Sequence, residues 1–355
     1  MSETSPRLCI AASGTGGHLF PALAVAECLS DWQIDWIGVP GRLEQSLVTG
    51  YPLHVVNVEG FQSRGLKSLF VLYRLISAIF KVRKLFKQLK TDVVFTTGGY
   101  IGAPAILAAR WCGIPVIVHE SNAIPGKVTK LLAPFCTRVA IGFEMAAKSL
   151  PKAKTIWIST PVRETFLSPQ NLDDFPIPEG APLIVVMGGS QGAVSLNQLV
   201  RDCAKTWLDA GAYLVHLTGD RDPDADSFQH PHYFARPFYN NIAGLLQRAN
   251  LAISRSGAGT LTELAVTKTP AILIPYPFAA EDHQYYNALA FKEAEAALIY
   301  RQNQLTPEIL EEEISHLLNS PDRLTKMAEN ANTLAVADSA EQLGELVKNS
   351  LNTIH

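Results

Sequence analysis

The sequence predicts an α/β protein made of two doubly wound domains, each built on a parallel sheet. Short apolar runs alternate with glycine turns and helical stretches along the chain, which is typical of βαβ units. Several of these runs are nearly unbroken Val and Ile, as expected for strands buried on both faces. The alternation also starts afresh after a proline-rich stretch at 168–182, where a linker or long loop is expected.

Each half begins with a strand, a glycine turn and a helix. In the first half these are predicted at 8–12, 14–17 and 21–29, and in the second half at 183–187, 188–192 and from 196 onward. Further apolar runs predict strands at 34–38, 92–96, 115–119, 213–218, 251–254 and 271–275. A glycine pair at 98–99 precedes a helix at 106–110, and the stretch from 321 onward is helical and polar.

Composition and charge exclude several classes of protein. The 355 residues are 47% hydrophobic and 18% charged, which excludes a disordered chain and allows two domains. The net charge of −3 provides no positive field for nucleic acid, so no such partner is expected. The five cysteines are scattered without a C-x-x-C pair, which argues against disulfides or zinc and fits a reducing cytoplasm. We expect neither a signal peptide nor a membrane-spanning segment.

Three glycine-rich turns each connect an apolar run to a helical stretch, at 13–18, 188–192 and 255–263. Glycines let the backbone approach a ligand closely, and a helix N-terminus favours an anionic oxygen by about 0.3–1 kcal/mol. None of the turns has the full dinucleotide fingerprint or the Lys-Ser/Thr pair of a P-loop, which argues against a dehydrogenase. Tight-turn geometry alone explains any one of them, but three together indicate a nucleotide-linked substrate.

Polar side chains in these turns suggest specific roles. His18 is a candidate general base, because a histidine titrates near neutral pH, and it is equally compatible with a helix cap. Ser190 can donate a hydrogen bond to a phosphate oxygen beside backbone N–H groups. Glu263 is expected in the first turn of a helix, where the dipole stabilises a carboxylate. In a nucleotide site the same carboxylate would accept hydrogen bonds from two ribose hydroxyls.

The stretch 64–90 is both basic and apolar. It holds eight basic residues and no acidic one, interleaved with Leu, Ile, Phe and Tyr. The basic residues Lys67, Arg74 and Lys81 are seven apart and therefore fall on one helix stripe, with Phe80 and Lys84 nearby. An apolar helix with a basic stripe is typical of a surface that binds an anionic bilayer. An ordinary domain helix with a solvated basic face fits the periodicity equally well.

Seven segments of the chain resemble the MurG family of bacterial peptidoglycan glycosyltransferases. In the first half these are GTGGHLFPALA (14–24), TGGYIGAPAILAA (97–109) and HESNAIPGK (119–127). In the second half they are TPVRETF (160–166), GGSQGA (188–193), RSGAGTLTEL (255–264) and EDHQYYNA (281–288). They follow the family's order and cover nearly the whole chain. The resemblance implies a GT-B fold, in which two Rossmann-like domains face each other across a cleft.

The resemblance also implies an activity and a domain organisation. The activity is inverting transfer of N-acetylglucosamine from UDP-N-acetylglucosamine to the C4 hydroxyl of the muramoyl unit of undecaprenyl-linked lipid I, which yields lipid II. Residues 1–163 would form the acceptor- and membrane-facing domain, with a helix at about 340–355 packed back on it, and 164–339 the UDP-sugar domain. The implied location is peripheral, at the cytoplasmic face of the inner membrane, where cell-wall synthesis proteins are candidate partners.

The family's donor-binding positions carry over residue by residue. Thr15, Gly16 and Gly17 match a loop that meets the donor from across the cleft. Asn122, Arg163 and Ser190 match donor-binding positions, and Arg163 suits a diphosphate through charge-assisted hydrogen bonds. Gln284 matches a glutamine that binds the sugar hydroxyls, and Tyr239 falls where the family makes a main-chain contact to uracil. The loop for the ribose and phosphate corresponds to Ala258, Gly259, Thr260, Leu261, Thr262 and Glu263.

An inverting transfer needs a base for the acceptor hydroxyl and groups that stabilise the leaving diphosphate. His18 is the candidate base, and His119 and Glu120 compete for that role while being equally compatible with structural ones. Arg163, Ser190 and helix N-termini would stabilise the diphosphate. We expect no cofactor and no metal, because no D-x-D element lies beside a glycine turn or near the proposed donor site, and those at 222–224 and 224–226 lie in a polar turn expected to be solvated. His216, His230 and His232 are expected to be ordinary residues.

Three positions depart from the family's pattern and blur the donor contacts. Thr160 stands where asparagine is usual, His283 stands where a second glutamine can occur, and Glu295 interrupts a stretch that often reads E-A-G-A.

Three alternatives remain. They are a transferase that uses another nucleotide sugar or a lipid acceptor such as diacylglycerol, a non-hydrolysing sugar epimerase, and a non-catalytic membrane-docked scaffold that binds a UDP-sugar.

Overall fold

The computed structural model of the chain describes residues 5–58, 66–189 and 193–351, without the side chains of 66–69. The chain divides into two compact units. The first comprises Met1–Val162 and Val336–His355, and the second comprises Arg163–Ala335. Each unit is built on its own parallel sheet.

Seven parallel strands form the sheet of the first unit. They are β1 (Arg7–Ala11), β2 (Gln33–Gly38), β3 (Leu53–Val55), β4 (Val93–Thr96), β5 (Val116–Glu120), β6 (Arg138–Ile141) and β7 (Thr155–Trp157). Their order across the sheet is β3-β2-β1-β4-β5-β6-β7. Strands β4 and β5 are buried at every residue, as in a sheet covered on both faces. The order also brings the carboxyl ends of β1 and β4 side by side, where ligands bind in open parallel sheets.

The helices of this unit cover the sheet and include the last helix of the chain. They are α1 (Gly16–Cys28), α2 (Glu44–Leu47), α3 (Leu66–Leu89), α4 (Gly99–Cys112), α5 (Lys127–Leu132) and α12 (Ser339–Ser350). Helix α3 packs along α4, and α12 packs against α1. Leu343 and Val347 of α12 are fully buried in a cluster with Leu8 and Leu29, so the end of the chain completes the first core. No described helix combines the length and apolar character needed to span a membrane.

Six parallel strands form the sheet of the second unit. They are β8 (Leu183–Met187), β9 (Tyr213–Leu217), β10 (Tyr233–Arg236), β11 (Leu251–Ser254), β12 (Ala271–Leu273) and β13 (Ala297–Ile299), in the order β10-β9-β8-β11-β12-β13. The helices are α6 (Val194–Asp209), α7 (Ile242–Arg248), α8 (Ala258–Val266), α9 (His283–Glu293), α10 (Pro307–Leu318) and α11 (Pro321–Thr333). The helix predicted from 196 onward is α6, and it buries Leu196, Val200 and Trp207 in the core of this unit.

The predicted fold class is confirmed, and several local predictions are corrected. Helices α1 and α4 begin inside their glycine turns, at Gly16 and Gly99, rather than after them. The glycine turns are therefore largely helix N-termini. Strands β3, β6, β7, β10 and β13, each of three or four residues, were not predicted.

Candidate active site

The chain leaving β1 is held by side chains from two neighbouring strands. Thr96 Oγ1, at the end of β4, donates a hydrogen bond to the Ala11 carbonyl oxygen at 2.6 Å. Trp36 Nε1, on β2, donates to the Ala12 carbonyl oxygen at 2.8 Å. Both donors are fully buried. The start of the first glycine turn is thus fixed before the turn itself begins.

Glu44 holds the next two residues and is a site residue that the sequence analysis missed. Its carboxylate accepts hydrogen bonds from Ser13 Oγ at 2.5 Å, from the Gly14 N–H at 3.2 Å and from the Val39 N–H at 2.8 Å. The side chain is fully buried. Because Glu44 and Gly14 are 30 residues apart and Glu44 belongs to no motif, no local pattern signals this contact.

His18 lies in the first turn of α1, and the backbone before the glycine pair 98–99 orients its ring. His18 Nδ1 lies 2.8 Å from the Thr97 carbonyl oxygen. Because that oxygen can only accept, Nδ1 carries the proton and Nε2 carries the lone pair. Gly98 and Gly99 have φ values of +83° and +69°, which favour glycine, and a Cβ at Gly99 would lie 4.0 Å from Nε2. The half-buried ring therefore holds Nε2 beside Gly98 and Gly99, which have no side chains.

His119 has both ring nitrogens engaged by its own unit. Nε2 donates to the Ser159 carbonyl oxygen at 3.0 Å, and Nδ1 lies 3.3 Å from Ser121 Oγ. The residue is fully buried, and this burial lowers the pKa of His119 below its ordinary value. These contacts describe a neutral histidine that ties β5 to the segment after β7.

Glu120 braces the loop after β5. One carboxylate oxygen accepts from the backbone N–H of Asn122 at 3.2 Å and from Asn122 Nδ2 at 3.3 Å, and the other accepts from the Gly126 N–H at 3.0 Å. Glu120 is 6% exposed. This geometry assigns Glu120 the positioning of Asn122, whose match to a family donor position remains a prediction.

In the second unit, the third glycine turn lies against the segment that carries Gln284. Ser256 Oγ donates to the Gln284 carbonyl oxygen at 2.7 Å, and Asn287 Nδ2 donates to the Ser256 carbonyl oxygen at 3.2 Å. Gln284 Oε1 accepts from the Tyr276 N–H at 2.9 Å. The structure thus brings the predicted ribose and phosphate loop together with the predicted sugar-binding glutamine.

The start of α8 offers main-chain groups rather than side chains. Gly257 is the extended N-cap, and the helix begins at Ala258. Leu261 and Thr262 are buried, and Thr262 Oγ1 donates to the Ala258 carbonyl oxygen at 3.0 Å. A ligand at this turn would therefore meet the unpaired N–H groups of the first helical residues, among them Gly259 and Thr260.

Glu263 and Arg163 lie close together beside this turn. Arg163 Nη2 is 3.9 Å from Glu263 Oε1, and the Glu263 side chain is only 20% exposed. Burial raises the pKa of Glu263 to about 7, although the Arg163 charge opposes the shift. The prediction that Glu263 lies in the first turn of its helix was wrong, because α8 starts at Ala258 and Glu263 falls in its second turn.

Three further predicted residues are not joined to this group by the contacts described above. The Tyr239 hydroxyl donates to Asp174 Oδ2 at 2.6 Å, in the stretch 168–182, and its ring lies 5.2 Å from that of Phe175. A main-chain role for Tyr239 remains compatible with this arrangement. Ser190 and the side chain of Lys67 lie outside the described residues.

The polar segment after β9 is anchored to α6. Arg201 Nη1 lies 2.7 Å from Asp222 Oδ2, and the two side chains are 3% and 0% exposed. Asn197 Nδ2 donates to the same Asp222 oxygen at 2.7 Å and to the Thr218 carbonyl oxygen at 2.8 Å. The prediction of a solvated loop was therefore wrong for Asp222, which is a buried partner of Arg201 rather than an available metal ligand.

His216 extends this hydrogen-bond network, and its partners determine which ring nitrogen donates and which accepts. Its Nε2 lies 3.0 Å from Asn197 Oδ1, and its Nδ1 lies 2.8 Å from the Tyr233 hydroxyl. The amide oxygen must accept, so Nε2 carries the proton and the tyrosine donates to Nδ1. Burial, with the Arg201 charge assisting, lowers the pKa of His216 to about 3, which keeps the ring neutral. The helix that follows the second glycine turn is thereby tied to β9.

Family models match both halves of the chain. Residues 8–141 match the glycosyltransferase family 28 N-terminal domain, and residues 183–343 match the family's C-terminal domain. Two relatives are UDP-N-acetylglucosamine–N-acetylmuramyl-(pentapeptide) pyrophosphoryl-undecaprenol N-acetylglucosamine transferases. The one from Rippkaea orientalis is 66% identical over 96% of this chain and 97% of its own. The one from Gloeothece citriformis is 64% identical over 98% and 97%.

Solved structures agree with these matches. MurG from Acinetobacter baumannii superposes with a TM-score of 0.77 at 31% identity, over 97% of this chain and 99% of that chain. The S. aureus MnaA–UDP structure has a TM-score of 0.71 at 13% identity, over 98% of this chain and 97% of that chain. At that identity the second likeness shows the fold alone.

The anchoring role of the Arg201–Asp222 pair can be measured. Replacing Asp222 by alanine leaves the Arg201 guanidinium buried without its carboxylate, so we expect a loss of about 3–5 kcal/mol in the free energy of unfolding. Urea denaturation would report it. Lys205→Ala, which removes the exposed pair with Asp209, is the control and should cost less than about 1 kcal/mol. An Asp222→Ala protein as stable as this control would contradict the role.

Proposed function

The chain belongs to the MurG family, within glycosyltransferase family 28, and is an N-acetylglucosamine transferase; we propose here how its residues perform the transfer. Its reaction moves N-acetylglucosamine from UDP-N-acetylglucosamine to the N-acetylmuramyl-(pentapeptide) unit carried on pyrophosphoryl-undecaprenol. The identity of 66% to a named transferase, over nearly the whole length of both chains, carries this conclusion. The first unit would hold the acceptor and the second unit the donor.

We propose that His18 is the general base. The orientation of its ring supports this, because the Thr97 carbonyl keeps the proton on Nδ1 and leaves the Nε2 lone pair available. Nε2 would take the proton of the acceptor C4 hydroxyl as that oxygen attacks the anomeric carbon of the donor sugar. The bond from that carbon to the diphosphate breaks, UDP leaves with the electron pair, and the configuration inverts. The contacts of His119 and Glu120 favour structural roles for both.

On the donor side, Arg163 and the main-chain N–H groups at the start of α8 would stabilise the charge that develops on the diphosphate. Glu263 would accept hydrogen bonds from the ribose hydroxyls. Its position beside Arg163, 3.9 Å from the guanidinium, supports a shared site for ribose and diphosphate. In this proposal no metal ion takes part, and Asp222 is unavailable because Arg201 and Asn197 occupy its oxygens.

The experiment that tests the function uses the purified protein with labelled UDP-N-acetylglucosamine and a lipid I analogue in detergent. We expect transfer only when the acceptor is present and only from the gluco donor, with UDP-N-acetylgalactosamine as the control donor. His18→Ala should lower kcat by about 10²–10⁴-fold, since a general base contributes that much. His54→Ala, in the same unit but paired with Asp35, should leave kcat unchanged.

Two of the alternatives, the epimerase and the scaffold, have their own outcomes in this assay. Conversion of the donor sugar without acceptor would indicate an epimerase. Binding of the UDP-sugar without any transfer would indicate a scaffold. Transfer that survives in His18→Ala at the wild-type rate would exclude His18 as the base.

The raised pKa of Glu263 predicts how donor binding depends on pH. The carboxylate accepts two ribose hydrogen bonds only when ionised, so protonation below about pH 7 should weaken UDP binding, by up to about tenfold per pH unit. Calorimetric titration of UDP-N-acetylglucosamine between pH 5.5 and 8.5 would measure this loss, because its diphosphate, unlike the terminal phosphate of free UDP, does not titrate in that range. Glu263→Gln should bind this donor more weakly at pH 8 and show no such dependence. A wild-type profile that is flat through this range would contradict a ribose-binding role for ionised Glu263.

The α3 helix carries an exposed surface, which we call the apolar-basic patch. Its apolar members are Phe70, Tyr73, Ile76 and Phe80 of α3 and Trp111 of α4. The rings of Phe80 and Trp111 pack at 5.3 Å, and both side chains are about half exposed, at 53% and 52%. Arg74 lies over the Phe70 ring at 4.4 Å, and the exposed Lys81 and Lys84 follow along the helix. Exposed apolar side chains flanked by basic ones are typical of a surface that binds a membrane.

We propose that the apolar-basic patch binds the anionic cytoplasmic face of the plasma membrane, where the lipid-linked acceptor would be held. The rings would enter the headgroup region, and the lysines would interact with anionic lipids at about 1 kcal/mol each. The association would be peripheral and reversible.

Reversing the charge of Lys81, Lys84 and Lys87 to glutamate tests this proposal. We expect binding to vesicles with 30% anionic lipid to fall by at least about tenfold, because three attractive contacts become repulsive. Vesicle co-sedimentation would measure it. The same reversal at three exposed lysines of the second unit, Lys205, Lys292 and Lys326, is the control. Equal binding by both triple variants would contradict a specific role for the patch.

A further inference from the structure

We propose that Glu44 is a positioning residue for the transfer: its buried carboxylate holds the Ser13–Gly14 turn and thereby the first turn of α1, which carries His18. This inference rests on the proposed function and deepens it. The two short segments involved, the end of β1 and the start of α2, are joined at this point by side-chain hydrogen bonds alone, one oxygen of Glu44 serving Ser13 and the other serving Gly14.

The packing around Glu44 is built for a carboxylate. Its side chain is fully buried, and a Cβ at Gly38 would lie only 2.7 Å from Glu44 Cγ and 2.9 Å from Oε1. Gly38, the last residue of β2, therefore leaves the space that the carboxylate occupies. Val39, which follows it, donates its N–H to Oε1 at 2.8 Å. The end of β2 thus leaves space for the Glu44 side chain at Gly38 and donates a hydrogen bond to it from Val39.

A buried carboxyl group at this position is not what stability alone would favour. Its three hydrogen-bond donors are a hydroxyl and two backbone N–H groups. Burying a polar group, even with its hydrogen bonds made, contributes less to stability than burying an apolar side chain of the same volume. The carboxyl group instead positions the turn, because its two oxygens accept hydrogen bonds from the Ser13 hydroxyl and from the Gly14 N–H at the same time.

The turn cannot easily find another conformation that keeps these contacts. Gly14 has a φ of +112°, which side-chain-bearing residues rarely adopt, and its N–H points to Glu44. Thr15 follows as the extended N-cap of α1, and the His18 N–H donates to the Thr15 carbonyl oxygen at 3.0 Å. The contacts of Glu44 are therefore linked to His18 through residues 14–17 of the turn.

This assignment also divides the turn into two parts with different tasks. The Ser13 hydroxyl and the Gly14 N–H are committed to Glu44, so they are not available to a ligand. The ligand-facing part of the turn starts at Thr15 and includes the N–H groups of Gly16 and Gly17. A base displaced by about 1 Å from its reacting proton loses about 10²-fold in rate, so small shifts of this turn matter.

The test compares Glu44→Ala, Glu44→Gln and the matched control Asp35→Asn in the full-length protein. Asp35 is a buried carboxylate of the adjacent strand β2 that pairs with Arg7 and His54 instead of the turn. We expect kcat to fall about 10²-fold in Glu44→Ala and about tenfold in Glu44→Gln, whose amide keeps one of the two acceptors. Asp35→Asn should keep the wild-type kcat. The Kd for UDP alone should stay within about twofold in all three, because the groups proposed to bind its ribose and diphosphate, Glu263, Arg163 and the start of α8, belong to the second unit.

A second readout does not depend on turnover. Side-chain NMR of labelled histidine, with His18 assigned from a His18→Gln spectrum, should show its imidazole signal shifted or broadened in both Glu44 variants and unchanged in Asp35→Asn. Wild-type kcat in Glu44→Ala, or an unmoved His18 signal, would overturn the inference. A loss of kcat in Asp35→Asn equal to that in the Glu44 variants would also overturn it, since the effect would then be general destabilisation. If the wild-type protein transfers no sugar, the proposed function fails, and the NMR comparison still decides the role of Glu44.

Discussion

The chain between β1 and α1 is held at four consecutive residues by hydrogen bonds from side chains elsewhere in the first unit. Thr96 and Trp36 fix the carbonyl oxygens of Ala11 and Ala12, and Glu44 fixes Ser13 and Gly14. Buried polar groups of the backbone must be paired, and here each pair also sets the path of the turn. The direction of α1, and with it the place of His18, depends on this set of contacts.

The second unit uses the same principle with a different set of side chains. The glycines of such a turn have no side chains, so its shape depends on hydrogen bonds made by the residues beside them. Ser256 and Asn287 tie the third turn to the segment that carries Gln284. Asn197, Arg201 and Asp222 tie α6 to the end of β9. In both units side-chain hydrogen bonds thus hold the described backbone next to the predicted ligand turns, and such contacts reduce the entropy lost on binding.

Burial and hydrogen bonding separate the titratable groups by role. His119 and His216 are buried with both nitrogens engaged, which keeps them neutral and structural. His18 is half-buried and has only Nδ1 committed to a carbonyl, so its other nitrogen suits proton transfer. For Glu263, burial beside Arg163 raises the pKa to about 7, so this carboxyl group titrates near neutral pH. His18, His119 and His216 are the same residue type, and only their surroundings separate their roles.

The sequence by itself determined the two parallel α/β domains, the three glycine turns and the family, because apolar runs, glycines and motifs are local patterns. It also selected His18, Arg163 and Glu263 as candidates. Only the tertiary structure decided that the side chains of His119 and Glu120 are hydrogen-bonded to neighbours, that Asp222 is buried, and that Glu44 holds Ser13 and Gly14. Most of these contacts join residues 21 to 40 positions apart, and those of Glu120 lie within one loop. No periodicity of the sequence records such contacts, since they arise only when separate helices, strands and loops pack together.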